Sequence, residues 1–304
     1  MEFSICPKHS FSEILDKMHP SDTLVLEDGI YYEKIDITIP NITLKARHQG
    51  KAIIRNKDYY HKIMPDGNEC NTFRTYTLYI GSNHVTLEGI VIENIAIPSA
   101  IYGQAVALHV DGNFFTCNHC TIQSAQDTLF TGPMPQNLRE RYQGFYSSSR
   151  LVGNPSKQKY YACKIIGDVD FIFGCATVLF EECEIISLER QTSTPSYICA
   201  PAHPKELPFG YLFYKCDLIG KEPAFLARPW RDYGCAAFIE CTMGDHILPI
   251  GYNKWNDTNR DKTARFYEYT PTVDTTVRAS WSHQMSKEDA KKYLLAFMDF
   301  FCQK

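Results

Sequence analysis

Two stretches of the chain repeat each other. Residues 120–130 read CTIQSAQDTLF and residues 163–174 read CKIIGDVDFIFG, so Asp127 and Asp170 occupy one register of a repeated unit. Each copy has the length of two short strands, and neighbouring strands in a sheet lie about 4.8 Å apart. If the copies are consecutive turns of a solenoid, the two carboxylates lie close together and titrate as a coupled pair. Such a pair is suited to acid-base chemistry.

The first part of this unit, Cys-x-aliphatic, recurs along the β-rich part of the chain. It begins at five cysteines, with one polar variant at residues 94–96: Cys120, Cys163, Cys183, Cys216 and Cys241. A unit of about 20 to 26 residues, lengthened in places by loops, is too short for a strand-helix-strand crossover. The spacing indicates rungs of a right-handed parallel β-helix. A β-sandwich is the alternative, but its antiparallel strands would not return the same residue in register.

Short helices are predicted at both ends of this solenoid. Ser10-x-x-Glu13 is a capping box before an apolar helical pattern, and Ser286-x-x-Asp289 is a second one. The second helix carries one apolar face, formed by Leu294, Phe297, Met298 and Phe301. The sequence therefore predicts one all-β domain over residues 1–304, with a helical cap at about 10–18, a solenoid at about 22–250, and groove-lining loops and a C-terminal helix at about 251–304. Length alone also allows two domains.

Composition and charge narrow the range of partners and locations. A net charge of -4 gives no electrostatic reason to bind nucleic acid or an anionic membrane. No apolar run reaches the ~18 residues of a membrane helix. Twelve cysteines would suit disulfides in a secreted protein, but the N-terminal MEFSICPKHSFSE is not a signal peptide. We therefore expect reduced cysteines, a monomer and a cytoplasmic location, unless a leader is missing from this chain.

Three further side chains are candidates for chemistry beside the two aspartates. Gln104 and Gln126 are one rung apart, and their amides are competent oxyanion donors, although solvated side chains or rung-to-rung hydrogen bonds are the alternative. Asp170 lies in the apolar DFIF, where a carboxylate requires a cation, a cluster of donors or a raised pKa. Arg228, in LARPW, is the best candidate for the cation; a purely structural ion pair is the alternative.

Other patterns are weaker indicators of function. Cys117-x-x-Cys120 with His119 resembles half of a zinc site, but no second pair follows at a suitable distance. His109 and His203 are lone histidines, which are more often structural or solvated than catalytic. Several aromatic residues could stack on sugar rings, although any one of them could belong to the core: Phe173, Trp230, Tyr233, Tyr252 and Trp255.

Taken together, these motifs resemble those of the pectin methylesterases, or pectinesterases, which are carbohydrate esterases built on a right-handed parallel β-helix. The resemblance rests on GQAVALHVDGN, SAQDTLFTG, GDVDFIFGCATVLFEECEI and LARPWRDYG, and on shorter segments along most of the chain. It implies hydrolysis of galacturonate methyl esters in pectin or pectic oligosaccharides, with release of methanol and a free carboxylate. It implies neither a metal nor an organic cofactor.

The resemblance also implies roles for single residues. Asp170 would be the nucleophile, and Asp127 the general acid and then the general base. Gln104 and Gln126 would form the oxyanion hole, and Arg228 would lower the pKa of Asp170 and keep it ionised. The substrate groove would be formed by Trp230, Phe173, Val169, Tyr233 and Trp255.

Some features depart from the family pattern or leave alternatives open. His109, Ala227 and Cys175 stand where other residues are commoner in the family, which leaves substrate preference open. The lack of a signal peptide suggests imported, partly methylated oligogalacturonides as substrate. We expect the insertion at residues 132–158 and the segment after Ile250 to wall the groove. The alternatives are a pectate lyase or polygalacturonase on the same fold, or a non-catalytic β-helix that binds pectic sugars.

Overall fold

Three parallel sheets surround one apolar core in the computed structural model, which describes residues 1–134, 156–190 and 192–303. Between residues 23 and 243 each full turn of the chain adds one strand to each sheet, so neighbouring strands of a sheet come from successive turns. This architecture is a right-handed parallel β-helix, and the predicted fold is confirmed. No helix within the described ranges is long and apolar enough to cross a membrane.

The strands are named here in chain order and grouped by sheet. Sheet A contains β1 Glu2–Ile5, β2 Thr23–Leu26, β5 Thr43–Ala46, β8 Thr86–Glu88, β11 Phe115–Asn118, β14 Lys157–Tyr161, β17 Thr177–Glu181, β20 Tyr211–Tyr214, β23 Cys235–Ile239, β25 Arg265–Tyr269 and β26 His283–Gln284. Sheet B contains β3 Gly29–Tyr32, β6 Ala52–Asn56, β9 Val91–Asn94, β12 Thr121–Gln123, β15 Lys164–Gly167, β18 Glu184–Ser187, β21 Asp217–Ile219 and β24 Thr242–Met243. Sheet C contains β4 Ile35–Ile37, β7 Leu78–Ile80, β10 Leu108–Val110, β13 Leu129–Thr131, β16 Val169–Gly174, β19 Ser196–Pro201 and β22 Ala224–Ala227.

The described helices are few and mostly short. They are the α-helices Phe11–Leu15, Ser99–Tyr102 and Lys287–Cys302, and the 3-10 turns Thr72–Arg74 and Arg260–Lys262. The first helix is shorter than the predicted 10–18, and Ser10 caps it by accepting from the Ser12 N–H rather than by forming a capping box. Ser286 caps the C-terminal helix by accepting from the Asp289 N–H at 3.1 Å.

The five repeated cysteines form a ladder where the chain turns from sheet A to sheet B. Each precedes a sheet B strand, and the first residues of these strands pair in sequence: Thr121 with Lys164, Lys164 with Glu184, Glu184 with Asp217 and Asp217 with Thr242. One rung earlier, Thr121 pairs with Val91, so the position before it belongs to Ile90. The prediction that Asn94 occupies the position of the repeated cysteines is therefore wrong. Asn94 is instead buried at the end of β9, where its amide donates to three backbone carbonyls.

The backbone at this turn, which we call the cysteine corner, adopts one conformation on five rungs. The residue before each cysteine is left-handed, with φ between 48° and 54°: His119, Ala162, Glu182, Lys215 and Glu240. Each thiol then points inward and donates to the carbonyl two residues earlier, as Cys183 does to Glu181 at 3.4 Å. All twelve cysteines are free, and ten of them are buried. The repeated thiols are therefore structural elements of the core.

The C-terminal helix packs on the outer face of sheet A. Phe297 and Ala290 are buried against Leu212, Ala237 and Ile239, which lie on two neighbouring strands. The other members of the predicted apolar face pack there too: Leu294, Met298 and Phe301. Lys157, at the start of β14, donates to the carbonyls of Phe300 and Gln303 at 2.7 and 2.6 Å, so the end of the helix is tied to the solenoid.

Candidate active site

Asp127 and Asp170 lie side by side where the chain turns from sheet B into sheet C, which we call the aspartate corner. Leu129 of β13 pairs with Ile172 of β16, and two residues earlier this register places Asp127 opposite Asp170. The Asp127 N–H donates to the Val169 carbonyl at 3.0 Å, which holds the two turns together. Both aspartates are more than nine-tenths buried. The repeat read from the sequence therefore brings the two carboxyl groups onto adjacent rungs.

The backbone at both aspartates is strained. Their φ angles are 63° at Asp127 and 49° at Asp170, a left-handed conformation that few residues other than glycine adopt. In addition, Val169 pairs with Tyr197 while Ile172 pairs with Cys199, so two residues of β16 face one of β19. Such β-bulges redirect side chains next to functional sites. Strain and bulge together orient the Asp170 carboxyl group.

Arg228 forms a two-pronged ion pair with Asp170. Its Nε donates to Oδ1 at 2.7 Å and its Nη2 donates to Oδ2 at 2.6 Å. These bonds lower the pKa of Asp170, but burial raises it by more, so the pKa lies above its usual value. Arg228 therefore lowers the pKa of Asp170 as expected, but burial outweighs this effect. Arg228 is the group that keeps Asp170 ionisable in this site.

The pKa of Asp127 is raised much further. Burial is the largest cause of this rise, and the negative charge of Asp170 is the second. The charge of Asp168 raises the pKa of Asp127 further. Arg228 and a hydrogen bond from the Gln126 side chain only partly oppose this rise. A proton shared by the pair therefore belongs mainly to Asp127. The two carboxyl groups therefore differ in pKa, and the pKa of Asp127 is the higher one.

Gln104 and Gln126 stand in register beside the aspartates. They form a parallel bridge, and the Ala105 N–H donates to the Gln126 carbonyl at 3.0 Å. Both side chains are half-buried and line the same cavity as Asp127 and Asp170. Their amide N–H groups can therefore donate to an oxygen atom held in this cavity.

The cavity has a volume of about 250 Å³. It is lined by Thr72, Phe73, Gln104, Gln126, Asp127, Asp170, Phe173, Ala200, Arg228, Trp230 and Trp255. Two residues assigned to the groove, Val169 and Tyr233, are not among them. Val169 is buried beside Asp170, and Tyr233 lies under the ammonium group of Lys205 at 5.7 Å from its ring centre.

Three lining residues were not singled out from the sequence. Ala200 pairs with Phe173 in the next rung, so the register of sheet C could have identified it. Thr72 and Phe73 belong to a 3-10 turn in the long β6–β7 connection, where the repeat offers no guide. Phe73 packs edge-on against Phe130 at 5.2 Å and so forms an apolar wall beside the carboxylates.

The weaker candidates are explained by packing. His109 is fully buried, with its Nε2 at 2.9 Å from Asp111 Oδ1, and His203 bonds the Ala176 carbonyl through Nε2 at 2.8 Å. Burial lowers the pKa of His203 to about 3. Cys117 points into the core while His119 is exposed, so they do not converge. Over the described part of the chain, no group of three potential metal ligands comes together.

Two expectations concern the walls of the groove. Residues 135–155 of the predicted insertion lie outside the described residues, so its role as a wall stays a prediction. The segment after Ile250 does contribute to the cavity, through Trp255. Tyr252, from the same segment, is buried and donates to Glu268 at 3.2 Å instead.

Comparison with known proteins gives a consistent result. The family described as Pectinesterase matches residues 9–154 and 142–300. Pectinesterase QRT1 of Arabidopsis thaliana is 27% identical over 88% of this chain, and probable pectinesterase 8 of the same plant is 30% identical over 86%. The chain spans 66% and 63% of the lengths of these two relatives.

Solved structures show the same fold. A pectin methylesterase from carrot matches with a TM-score of 0.76 at 20% identity, covering 97% of this chain and 95% of that one. PemA, a pectin methylesterase from Erwinia chrysanthemi, matches with a TM-score of 0.75 at 20% identity, covering 96% and 94%. The family match extends over nearly the whole chain and includes the segments that carry both aspartates, both glutamines and the arginine. The chain belongs to the pectinesterase family.

Proposed function

We propose that this protein hydrolyses methyl esters of galacturonate residues in pectin or pectic oligosaccharides. The observation that carries the proposal is the pair of buried carboxyl groups. Asp170 is held by a two-pronged bond from Arg228, and Asp127 beside it has a strongly raised pKa. An ionised carboxyl group can act as a nucleophile and a protonated one can donate a proton to the leaving group, so such a pair can hydrolyse an ester. Membership of the pectinesterase family supports this reading.

In the first step, a carboxylate oxygen of Asp170 attacks the ester carbonyl carbon. Negative charge develops on the carbonyl oxygen, where the side-chain amides of Gln104 and Gln126 donate hydrogen bonds. Methoxide is a poor leaving group, so Asp127 transfers its proton to the departing oxygen and methanol leaves. The product is a mixed anhydride between Asp170 and the galacturonate carboxyl group.

In the second step, water resolves this anhydride. Asp127 is now a carboxylate and accepts a proton as the water oxygen attacks the galacturonyl carbon. The anhydride bond breaks, the sugar leaves as a free carboxylic acid, and Asp170 returns to its ionised pair with Arg228. Asp127 is protonated again, so the cycle closes with one water consumed and one methanol and one acid formed.

The sugar would be oriented by the apolar walls of the cavity. Phe173 and Trp230 pack against each other with ring centres 5.8 Å apart, and both line the cavity beside Asp170. Flat apolar surfaces of this kind suit the C–H face of a pyranose ring. We therefore assign Phe173 and Trp230 to substrate binding.

The proposal is tested by measuring methanol and proton release from methylated pectin and from methylated oligogalacturonides. For the wild type we expect equal amounts of both products. For Asp170→Asn we expect a loss of at least about 1,000-fold, because the nucleophile is removed while asparagine still tolerates the left-handed backbone. Asp217→Asn, the same change at an exposed position of β21, is the matched control and should keep full activity.

Other outcomes would point to other functions. No methanol from any wild-type reaction would contradict the proposal. An unsaturated sugar product would indicate a lyase, and shorter chains without methanol would indicate a polygalacturonase. Binding of pectic sugars without any product would indicate a binding module.

A further inference from the structure

The guanidinium group of Arg228 is held by aromatic rings as well as by Asp170. Its central carbon lies 3.8 Å from the ring centre of Tyr197 and 4.1 Å from that of Trp255. Cation–π contacts of this kind attract the guanidinium group to the face of each ring. Trp255 and Arg228 line the catalytic cavity, whereas Tyr197 does not. Tyr197 can therefore influence the site only through the groups that it contacts.

Tyr197 is itself firmly positioned. It pairs with Val169 on one side and with Phe225 on the other, within three adjacent strands of sheet C. Its ring stacks on the ring of Phe225 with centres 5.1 Å apart and planes only 11° apart. Phe225, Tyr197 and Arg228 therefore form a continuous stack that ends at the Asp170 carboxylate.

The orientation of the guanidinium group matters because both of its bonds to Asp170 are short and parallel. A two-pronged bond requires the guanidinium and carboxylate groups to stay nearly coplanar. Arg228 lowers the pKa of Asp170 and burial raises it. If Arg228 rotated away, the pKa of Asp170 would therefore rise further. Among the described residues, the other titratable groups facing Asp170 are the carboxyl groups of Asp127 and Asp168, and a carboxyl group cannot supply the positive charge of Arg228.

We infer that Tyr197 is a positioning residue for the esterase reaction. Backed by Phe225, its ring holds Arg228 in the plane that keeps Asp170 ionised and aligned for attack. This inference rests on the proposed function, because it assigns Tyr197 a role in that reaction. It does not require Tyr197 to touch the substrate.

The test compares Tyr197→Leu with Tyr197→Phe. Leucine removes the ring, and we expect kcat to fall about 3- to 30-fold, which corresponds to the loss of one such contact. KM should change much less, because Tyr197 does not line the cavity. The acidic limb of the pH profile should move to higher pH, since a less supported Arg228 leaves Asp170 protonated up to a higher pH. Phenylalanine keeps the ring, so kcat and the acidic limb should stay close to the wild type.

A second measurement does not depend on activity. An NMR titration of protein with isotope-labelled aspartate carboxyl groups, with the Asp170 signal identified by its absence in Asp170→Asn, gives the pKa directly. We expect a higher pKa for Asp170 in Tyr197→Leu than in Tyr197→Phe or the wild type. If the wild type releases no methanol, the proposed esterase function fails, and this titration still decides whether Tyr197 supports Arg228.

Phe225→Leu provides a variant that leaves Tyr197 in place. It removes the backing ring, so we expect changes in the same direction as Tyr197→Leu but smaller. Circular dichroism and thermal unfolding establish that each variant is folded. Equal kcat, equal acidic limbs and equal Asp170 pKa values in the leucine and phenylalanine variants of Tyr197 would overturn the inference.

Discussion

The cysteine corner and the aspartate corner are two turns of the same rung, and both use left-handed residues on successive rungs. At the cysteine corner the left-handed residue is mostly exposed, and the next residue places a thiol in the core, where it donates to backbone carbonyls. At the aspartate corner the left-handed residue itself carries the buried carboxyl group to which we assign catalysis. The same backbone conformation thus supports packing at one corner and, in the proposed function, catalysis at the other.

The difference shows that backbone strain alone does not indicate a catalytic residue. A left-handed L-residue costs roughly 1–2 kcal/mol at either corner. The aspartate corner adds the cost of burying two carboxyl groups, and among the described residues Arg228 supplies the positive charge that opposes this cost. The catalytic role that we propose for this corner therefore depends on a destabilised site, which the rest of the solenoid supports.

The largest expected effect concerns Asp127, the residue of the aspartate corner with the most strongly raised pKa. Asp127→Asn should lower kcat by about 100- to 10,000-fold, because the proton donor and acceptor is lost. In the wild type, activity should fall as the pH rises through the raised pKa of Asp127; the remaining activity of the variant should not show this fall. Glu182→Gln, an equivalent change at the cysteine corner, should leave methanol release unchanged.

The same variant should be more stable than the wild type. Because folding raises the pKa of Asp127, the wild type loses stability as the pH rises through that raised value. Asparagine does not ionise, so thermal unfolding near neutral pH should shift to higher temperature in Asp127→Asn. At a pH low enough to protonate Asp127 in both the folded and the unfolded chain, the gain should vanish. A variant that is less stable at every pH would contradict the assignment of a buried, strained carboxyl group.

An intermediate effect is expected in the cysteine ladder. Cys183→Ala leaves a small cavity in the core and should lower the free energy of unfolding by about 1–2 kcal/mol, with specific activity unchanged. Cys183→Ser should be tolerated better than other polar changes, because its hydroxyl can donate to the same Tyr160 and Glu181 carbonyls. Urea unfolding measures both, with Cys302→Ala, at an exposed position, as control. A clear loss of methanol release in Cys183→Ala would show that the two corners are coupled.

The smallest effect, expected at Ala162, belongs to a pair of exchanges at the left-handed position of the cysteine corner. Gly89 precedes Ile90 with φ 68°, and a Cβ there would lie 3.3 Å from Gln49 Cα. Gly89→Ala should therefore destabilise the protein by about 1–2 kcal/mol. Ala162, on a later rung, has φ 48°. Ala162→Gly should stabilise the protein by about 0.5 kcal/mol, since relief of strain exceeds the entropy cost of glycine. Identical effects of the two changes on unfolding would contradict a shared backbone conformation.

The sequence predicted those parts of the site that lie inside the repeat. The shared spacing of the two copies placed Asp127 and Asp170 on adjacent rungs, and the sheet C register agrees. Gln104 and Gln126 followed from the same spacing. The prediction that Asn94 begins a polar copy of the repeat was wrong, because it rested on similarity of residue pattern alone. The strand register places Ile90, not Asn94, at the position of Cys120.

Other parts of the site could not be read from the repeat. Thr72 and Phe73 enter the cavity from a connection between strands, where side-chain direction is not set by any period. Tyr197 lies in a strand that looks ordinary in sequence, and only the stack with Phe225 and Arg228 makes its position notable. The net pKa of Asp170 also required the structure, because burial and ion pairing act in opposite directions.

The C-terminal helix has a consequence for how the molecule comes apart. In a solenoid whose rungs touch only their neighbours, the ends can unravel one rung at a time. Here the helix is buried against strands from several rungs, and its last turn is tied to Lys157 on β14, far along the axis from the final strands. The helix therefore connects the rungs that it spans, in addition to the contacts that each rung makes with its neighbours. Loss of the last rungs therefore requires the helix to detach first, which makes unfolding of the rungs that carry Asp170 a collective event.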